Sequence, residues 1–146
     1  MPTDPTGILK ATEEKIRKMS ELENAVTNAA VRQKIGKIRE AAQEILKNLE
    51  RHPEDIPAAR RFLNYYFETT LKIIYKYVEF ASIREPSDAL QRTMARMESA
   101  LDPVERVFRK ELAHLTENDV IDMEAELDVL QKTIQMDALS EDTHAQ

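Results

Sequence analysis

Apolar residues recur every three or four positions along most of this chain, which is the period of an amphipathic α-helix. The clearest stripe has alternating spacings of four and three: Val31, Ile35, Ile38, Ala42, Ile45 and Leu49. An earlier stripe is formed by Ile16, Met19, Leu22 and Val26, and it does not join the later one in phase. The two stripes predict a long first helix over residues 6–50 that bends, breaks or lets its first half project.

Three more helices are predicted after a proline-containing connection. The second covers residues 57–84 and ends before a further proline, since the residue before proline disfavours helical geometry. The third covers residues 87–115, where Pro103 predicts either a kink or a helix restart. A connection at residues 116–119 leads to the fourth, over residues 119–138. The inward positions are Leu90, Met94, Met97, Leu101, Val104, Phe108, Leu112 and Leu115 on the third helix, and Val120, Met123, Leu127, Leu130 and Ile134 on the fourth.

Short connections make consecutive helices antiparallel neighbours. The sequence therefore predicts an all-α, antiparallel up-down bundle of about four helices, in one domain over residues 1–146 with a frayed tail at 140–146. Residues 57–84 are apolar or aromatic on almost every side, so we expect this helix to be the most enclosed. The first half of helix one, residues 8–30, is left as a projecting extension, and a homodimer through it remains open.

The charge distribution narrows the choice of partners. The net charge is −6, and residues 111–146 hold ten acids against a single base, Lys132. Nucleic-acid surfaces are basic overall or along one face, so we expect no nucleic-acid partner. A basic protein surface suits the acidic segment.

Composition bears on the compartment. There is no cysteine, no apolar run of membrane-spanning length and no charged start followed by an apolar stretch. We therefore expect a cytoplasmic protein. Basic residues lie among apolar ones over residues 8–39, which leaves membrane-surface binding open, although eight acids across residues 1–50 argue against it.

Sequence motifs for metal binding or nucleophilic catalysis are absent. His52, His114 and His144 lack the spacing of metal ligands. Acids at i and i+4 could offer oxygens to a hard cation, in the set Glu117, Asp119, Asp122, Glu124, Glu126 and Asp128. Such acids also complement the dipole at a helix start, and this structural explanation is the stronger one. We expect no cofactor and no metal.

A cluster of hydroxyl, amide and cationic side chains on the second helix is the candidate ligand site: Arg60, Arg61, Asn64, Tyr65, Tyr66, Thr69, Thr70 and Lys72. Tyr65 and Thr69 form one i, i+4 pair and Tyr66 and Thr70 form another, so the members of each pair lie on successive helical turns. Their hydroxyls either bond to backbone carbonyls inside a core or line a small pocket for a phosphate or other oxyanion. Both interpretations stay open at this point.

The same segment, RRFLNYYFETTLKIIYKYVEF over residues 60–80, resembles the central motif of the XpaC-type family, which is named for hydrolysis of 5-bromo-4-chloroindolyl phosphate. The matching residues are Phe62, Tyr65, Tyr66, Thr69, Thr70, Leu71, Lys72, Lys76 and Tyr77. Residues 119–139 also resemble the closing segment of that family. The resemblance implies a helical protein that acts with partners of the toxic-anion (tellurite) resistance type.

Two functions follow as hypotheses. The first is a non-enzymatic helical interaction protein, working with such a partner in stress or envelope physiology. The alternative is a hydrolase of small phosphate esters, with Tyr65, Tyr66, Thr69, Thr70 and Lys72 near its site. The spacing of residues assembles no phosphatase machinery, so the first hypothesis is favoured.

Overall fold

The computed structural model describes residues 4–144, and the side chains of residues 4–140. Every described element is helical, so the prediction of an all-α chain is confirmed. The elements are α1 (Pro5–Ala25), α2 (Ala29–Arg51), a 3-10 turn (Pro53–Asp55), α3 (Ile56–Arg61), a π-helical turn (Phe62–Phe67), α4 (Glu68–Ala81) and α5 (Asp88–His144). The predicted frayed tail falls partly on α5 and partly on residues 145–146, which lie outside the described residues.

The chain divides into two compact units, residues 1–113 and residues 114–146. The first unit contains α1 to α4 and the beginning of α5. The second unit contains the remainder of α5. The candidate ligand residues predicted from the sequence all belong to the first unit.

The predicted first helix is broken into two, and polar caps explain where each part begins. Asp4 accepts a hydrogen bond from the backbone N–H of Gly7 at 3.1 Å and caps α1. Asn28 accepts from the N–H groups of Ala30 and Val31 at 3.0 and 3.2 Å and caps α2. Since an asparagine cap satisfies N–H groups that a helix start leaves unpaired, residues 26–28 form a tight link between two helices.

The first half of this region does not project. The side chains of Thr12, Ile16 and Met19 on α1 are buried, and α1 packs against α2 and α4. The out-of-phase apolar stripes have a simple cause, because each belongs to its own helix and the chain reverses between them. The apolar face expected to support a dimer is therefore used inside the first unit.

The most enclosed helix is α2, and the expectation that residues 57–84 would be the centre is wrong. The predicted stripe of α2 is buried throughout, together with Ala41 and Leu46. In the tyrosine-rich segment, by contrast, Tyr65 is 60% exposed and Tyr75 is 51% exposed. A tyrosine can keep its hydroxyl in water while its ring covers apolar neighbours, so aromatic content alone overstated the burial.

Three phenylalanines join the π-helical turn to α5 within the first unit. The ring of Phe108 lies 4.8 Å from that of Phe62 and 5.5 Å from that of Phe67, measured between centroids. Phe67 and Phe108 are fully buried. The predicted inward seam of residues 87–115 is thus correct at Phe108, and also at Leu101, which is 4% exposed. The helix continues through Pro103 without the predicted restart.

The connection predicted at residues 116–119 is wrong, because α5 continues to His144. This stretch holds polar residues but neither glycine nor proline, and its helical propensity costs are only tenths of a kcal/mol per residue. The inward positions predicted for a fourth helix are also wrong. The exposed fractions of Val120, Met123, Leu127, Leu130 and Ile134 lie between 46% and 58%.

A hydrogen bond between Tyr77 and Glu98 links α4 to α5. Its contribution to the free energy of unfolding should decrease at alkaline pH. The Tyr77 hydroxyl donates to Glu98 Oε1 at 2.7 Å, and burial, followed by this hydrogen bond and the Glu98 charge, raises the pKa of Tyr77 to about 12. The folded-state pKa lies above the ordinary value of about 10. The contribution is therefore complete below pH of about 10 and is lost as pH rises toward 12.

We expect Tyr77→Phe to lower the free energy of unfolding at pH 7 by about 1–2 kcal/mol. The difference between wild type and variant should shrink from about pH 10 upward. Urea unfolding followed by circular dichroism at several pH values measures both effects. A difference that stays constant up to pH 12 would show that Tyr77 does not titrate with unfolding.

Candidate functional site

A groove of about 540 Å³ lies in the first unit between α1 and the helix formed by the π-helical turn and α4. Its lining is Lys15, Lys18 and Leu22 from α1, and Asn64, Glu68, Thr69, Leu71, Lys72 and Tyr75 from the other side. The volume lies within the range of small-molecule sites, about 300–1,000 Å³. The groove is therefore large enough for an organic ligand.

The two walls of the groove run in the same direction. Lys15 contacts Glu68 at 3.0 Å near the start of α4, whereas Val26 lines a separate cavity with Tyr77. The two helices are parallel, so residues that come early in one lie beside residues that come early in the other. The groove therefore has a polar end at Lys15 and Asn64 and a more apolar end toward Leu22 and Tyr75. This polarity favours a ligand with one charged end and one apolar end.

The π-helical turn sits at the polar end of the groove. Such turns are rare, occur mostly inside α-helices and are frequent at functional sites. A π-helical turn replaces the usual i to i+4 pairing of backbone groups by a wider one, so its carbonyls are displaced from their normal partners. Here the Lys15 ammonium lies 3.5 Å from the Leu63 carbonyl oxygen. Lys15 thus joins α1 to the turn, and this feature was missed in the sequence.

The charges in the groove are mostly positive. Lys15 is paired with Glu68, but Lys18 and Lys72 form no ion pair with any described residue. Three ammonium groups against one carboxylate leave a net charge of two positive units along the lining. The amide of Asn64 and the hydroxyl of Thr69 add neutral hydrogen-bond donors.

The structure divides the predicted ligand residues into two sets. Asn64, Thr69 and Lys72 line the groove, as a pocket hypothesis requires. The buried Thr70 hydroxyl instead donates to the Tyr66 carbonyl at 2.7 Å, which is the core interpretation. The remaining members are exposed and lie outside the groove lining: Arg60, Arg61, Tyr65 and Tyr66.

The two exposed tyrosines extend the phenylalanine cluster to the surface. The rings of Tyr65 and Tyr66 meet edge to face at 5.1 Å, and Tyr66 stacks on Phe62 at 6.4 Å. Their aromatic contacts account for their position without a ligand. The tyrosine pair of the sequence motif therefore marks the packing of the π-helical turn.

Lys15 and Lys18 were not among the residues singled out from the sequence. The usable signal is their spacing, since Lys15, Lys18 and Leu22 occupy one face of α1 beside the buried stripe. The sequence does not show that α1 packs beside α4, so it gives no partner for that face of α1. Only the tertiary contact brings these lysines to the predicted cluster.

A second candidate surface lies on the second unit, where α5 carries apolar side chains in the open. Val120, Met123, Leu127, Leu130 and Ile134 follow spacings of three and four, and each is exposed. Ile121, Val129 and Met136 are exposed as well, and they fall on the opposite face at 3.6 residues per turn. Exposed apolar side chains aligned along one face of a helix make that face a candidate interaction surface.

A comparison with known protein families gives one match, which covers most of the chain. The family described as 5-bromo-4-chloroindolyl phosphate hydrolysis protein matches residues 6–130. The chain belongs to this family. The match covers every residue that lines the groove, and the resemblance inferred from residues 60–80 is confirmed. Neither the curated proteins nor the solved structures contain a match to the chain.

The chemistry available to this XpaC-type chain is that of a cationic groove. Within residues 4–140, no three histidine, cysteine, aspartate or glutamate side chains converge as a metal site would require. The acidic side chains that the sequence analysis weighed as cation ligands, from Glu117 to Asp128, form no such group within residues 4–140. In the described part of the chain, no helix combines the length and apolar character needed to cross a bilayer.

Proposed function

We propose that this XpaC-type chain is a non-enzymatic, cytoplasmic helical interaction protein. The observation that carries the proposal is the exposed apolar seam of the second unit, defined as Val120, Met123, Leu127, Leu130 and Ile134. One helix cannot bury such a seam by itself, and burying each side chain stabilises a complex by about 1.5–3 kcal/mol. The seam supports docking against a helix of another protein.

The spacing of the seam is that of a coiled coil. Its members occupy alternating a and d positions of a heptad repeat. The flanking e and g positions select the partner, and here they include Asp119, Glu124 and Glu126. A partner helix with lysine or arginine at its own flanking positions complements this surface.

Self-association through the seam is disfavoured by charge. In a parallel pair of two copies in register, Asp119 of one copy would lie beside Glu124 of the other. Like charges at these positions destabilise a coiled coil, so the seam favours a different and basic helix. The homodimer expected through residues 8–30 loses its support too, because the apolar side chains Ile16 and Met19 are buried within the first unit.

The partner class proposed here is a helical protein of the toxic-anion-resistance type, acting in stress or envelope physiology. The proposal combines the family membership with the acidic residues that flank the seam, Asp119, Glu124 and Glu126. It requires that the partner present a basic amphipathic helix. A partner that binds through another surface would contradict this part of the proposal.

A designed probe tests the seam directly. We expect a helical peptide with leucine at a and d positions and lysine at e and g positions to bind the full chain, more weakly at high salt. Leu127→Asp combined with Leu130→Asp should weaken binding at least about 100-fold, since two charges would have to be buried. Fluorescence anisotropy of the labelled peptide measures the affinity.

Two controls make this test specific. Gln135→Asp adds one charge at an exposed position outside the seam and should leave the affinity within about twofold. A peptide with glutamate in place of lysine should bind far more weakly. Equal binding of both peptides, or sedimentation of the chain alone as a seam-dependent dimer, would overturn the heterotypic proposal.

The second candidate function is hydrolysis of small phosphate esters, and the family description is the observation that favours it. Phosphoryl transfer to water needs an activated nucleophile, metal ions or a charged clamp. The groove supplies lysines and the carboxylate Glu68. Release of indoxyl from 5-bromo-4-chloroindolyl phosphate by purified protein, with and without divalent metals, separates the two functions. Turnover that Lys72→Gln abolishes would establish the hydrolase.

A further inference from the structure

The last part of α5 has a second apolar face, which the docking proposed above leaves uncovered. Its members are exposed, and all except Ala125 are between 61% and 70% exposed. We call this face the second seam, and it consists of Ile121, Ala125, Val129, Met136 and Leu139. At 3.6 residues per turn, the second seam lies about 180° around the helix from the seam. A helix that docks on the seam therefore cannot cover the second seam.

Acidic side chains occupy the two stripes of surface that separate the seams. No aspartate or glutamate of residues 114–140 falls within either seam. One stripe contains Glu117, Glu124 and Asp128, and the other contains Asp119, Asp122, Glu126 and Asp137. A helix docked on either seam therefore meets carboxylates along both of its edges. Lysine or arginine at the edges of the docked helix complements these carboxylates.

Lys132 is the one charged side chain that interrupts the second seam. It lies between Val129 and Met136 at helical spacing, and it is the sole lysine or arginine of residues 111–146. A lysine at a single core position of a coiled coil specifies the register and the partner at a cost in stability. A covering helix with leucine opposite Lys132 removes the ammonium group from water without a partner, which is unfavourable. A carboxylate at that position forms a charge-assisted hydrogen bond with it.

We infer that the partner supplies two basic amphipathic helices, one for each seam, and that the helix on the second seam carries an acidic residue opposite Lys132. The end of α5 is then the middle helix of a row of three. Packed helices lie about 8–10 Å apart, so the two partner helices are about 16–20 Å apart and do not contact each other. This inference rests on the proposed interaction function and specifies the partner in more detail.

Charge disfavours a second copy of this chain as the cover of the second seam. Two copies paired through their second seams would bring their acidic stripes together along both edges. In a parallel pair in register, the Lys132 side chains would also face each other. Like charges across a helix pair act against that pairing, whereas a helix with basic edges and one core carboxylate has the opposite charge at every one of these positions.

Two labelled peptides test the inference on the full chain with Leu127→Asp and Leu130→Asp, in which the seam is disabled. The leucine peptide is the one described above, with a leucine core and lysine at its edges. The core-glutamate peptide differs only by glutamate at one central core position. We expect the core-glutamate peptide to bind this variant about tenfold or more tightly than the leucine peptide, because it alone pairs with Lys132. Fluorescence anisotropy measures both affinities.

Replacing Lys132 should reverse this preference. In the same variant, Lys132→Leu removes the charge that selects the carboxylate, and the leucine peptide should then bind about tenfold or more tightly than the core-glutamate peptide. Lys132→Glu should instead favour a peptide with lysine at the central core position. A merely structural role of Lys132 would change the affinities of all three peptides alike. Lys132 is exposed, so these variants are expected to fold.

The opposite positions of the seams are tested in the wild-type chain. Saturation with the leucine peptide, which prefers the seam, should change the affinity of the core-glutamate peptide for the second seam less than about twofold, since helices on opposite faces do not touch. Val129→Asp combined with Met136→Asp should weaken binding at the second seam at least about 100-fold and leave the seam unaffected. Gln135→Asp lies outside both seams and is the matched control. Mutual displacement of the two peptides would overturn the inference.

The outcomes separate this inference from the proposed interaction function. If the leucine peptide does not bind the wild-type chain, the proposed interaction function fails, and the inference fails with it. If that peptide binds the seam but the core-glutamate peptide binds equally well with Lys132 and with Lys132→Leu, only the inference fails. Sedimentation of the chain alone as a dimer that Val129→Asp and Met136→Asp dissociate would show that a second copy covers the second seam, and it would also overturn the inference.

Discussion

Replacing Phe108 by alanine is expected to lower the free energy of unfolding by about 3–5 kcal/mol. The ring is fully buried and packs edge to face on Phe62 with centroids 4.8 Å apart. Its removal loses the transfer free energy of the ring, leaves a cavity and breaks aromatic contacts worth about 0.5–1.5 kcal/mol each. Urea unfolding followed by circular dichroism measures the change.

Two further substitutions check the cause of this loss. Phe108→Leu keeps most of the volume and should cost less than half as much as the alanine variant. Tyr65→Ala removes a ring that is 60% exposed and should cost less than about 1 kcal/mol. A loss below about 1 kcal/mol for Phe108→Ala itself would contradict the packing of α5 against the π-helical turn.

Replacing Met19 by alanine is expected to cost about 2–5 kcal/mol. Met19 is fully buried where α1 packs against its neighbours in the first unit. The substitution distinguishes the observed packing from the projecting extension that the sequence left open. If α1 projected into solvent, the same change would fall within about 0.5 kcal/mol of wild type.

Leu130→Ala is the matched control for this second prediction. Leu130 is 53% exposed on the second unit, so its removal should leave the unfolding free energy within about 0.5 kcal/mol of wild type. The same variant should weaken binding of the basic peptide, because Leu130 belongs to the seam. A large stability loss at Leu130 would mean that the seam is buried within the chain.

The apolar period predicted the helices of the first unit well. The stripe from Val31 to Leu49 is buried as expected, since an amphipathic helix of this length has one way to bury its apolar face. Phe108 and Leu101 were also placed correctly on the inner face of α5. The spacing of apolar residues was sufficient to predict burial wherever the apolar face of a helix packs against another helix of the first unit.

The same period misled on the last part of α5. Val120 and Leu127 have the spacing of inward residues but are exposed in the second unit. Periodicity shows that a face is apolar, and it does not show whether the covering surface belongs to the same chain. The missing connection at residues 116–119 has a related cause, because polar residues permit a turn without requiring one.

The candidate groove was predicted in part. Asn64, Thr69 and Lys72 were identified because amide, hydroxyl and ammonium groups cluster on one short stretch of helix. The tyrosines beside them were included for the same reason, but they pack on Phe62 and each other at the surface. Side chains adjacent in sequence diverge around a helix, and the π-helical turn adds a further change of direction.

The sequence by itself determined that the chain is helical, where its main core stripe lies, and to which family it belongs. These depend on local spacing and on short motifs, which are complete within one segment. Only the tertiary structure decided that Lys15 and Lys18 face Lys72, and that the seam beyond Val120 has no cover among the described residues. Both depend on which helices become neighbours, and that is settled by packing between segments distant in the chain.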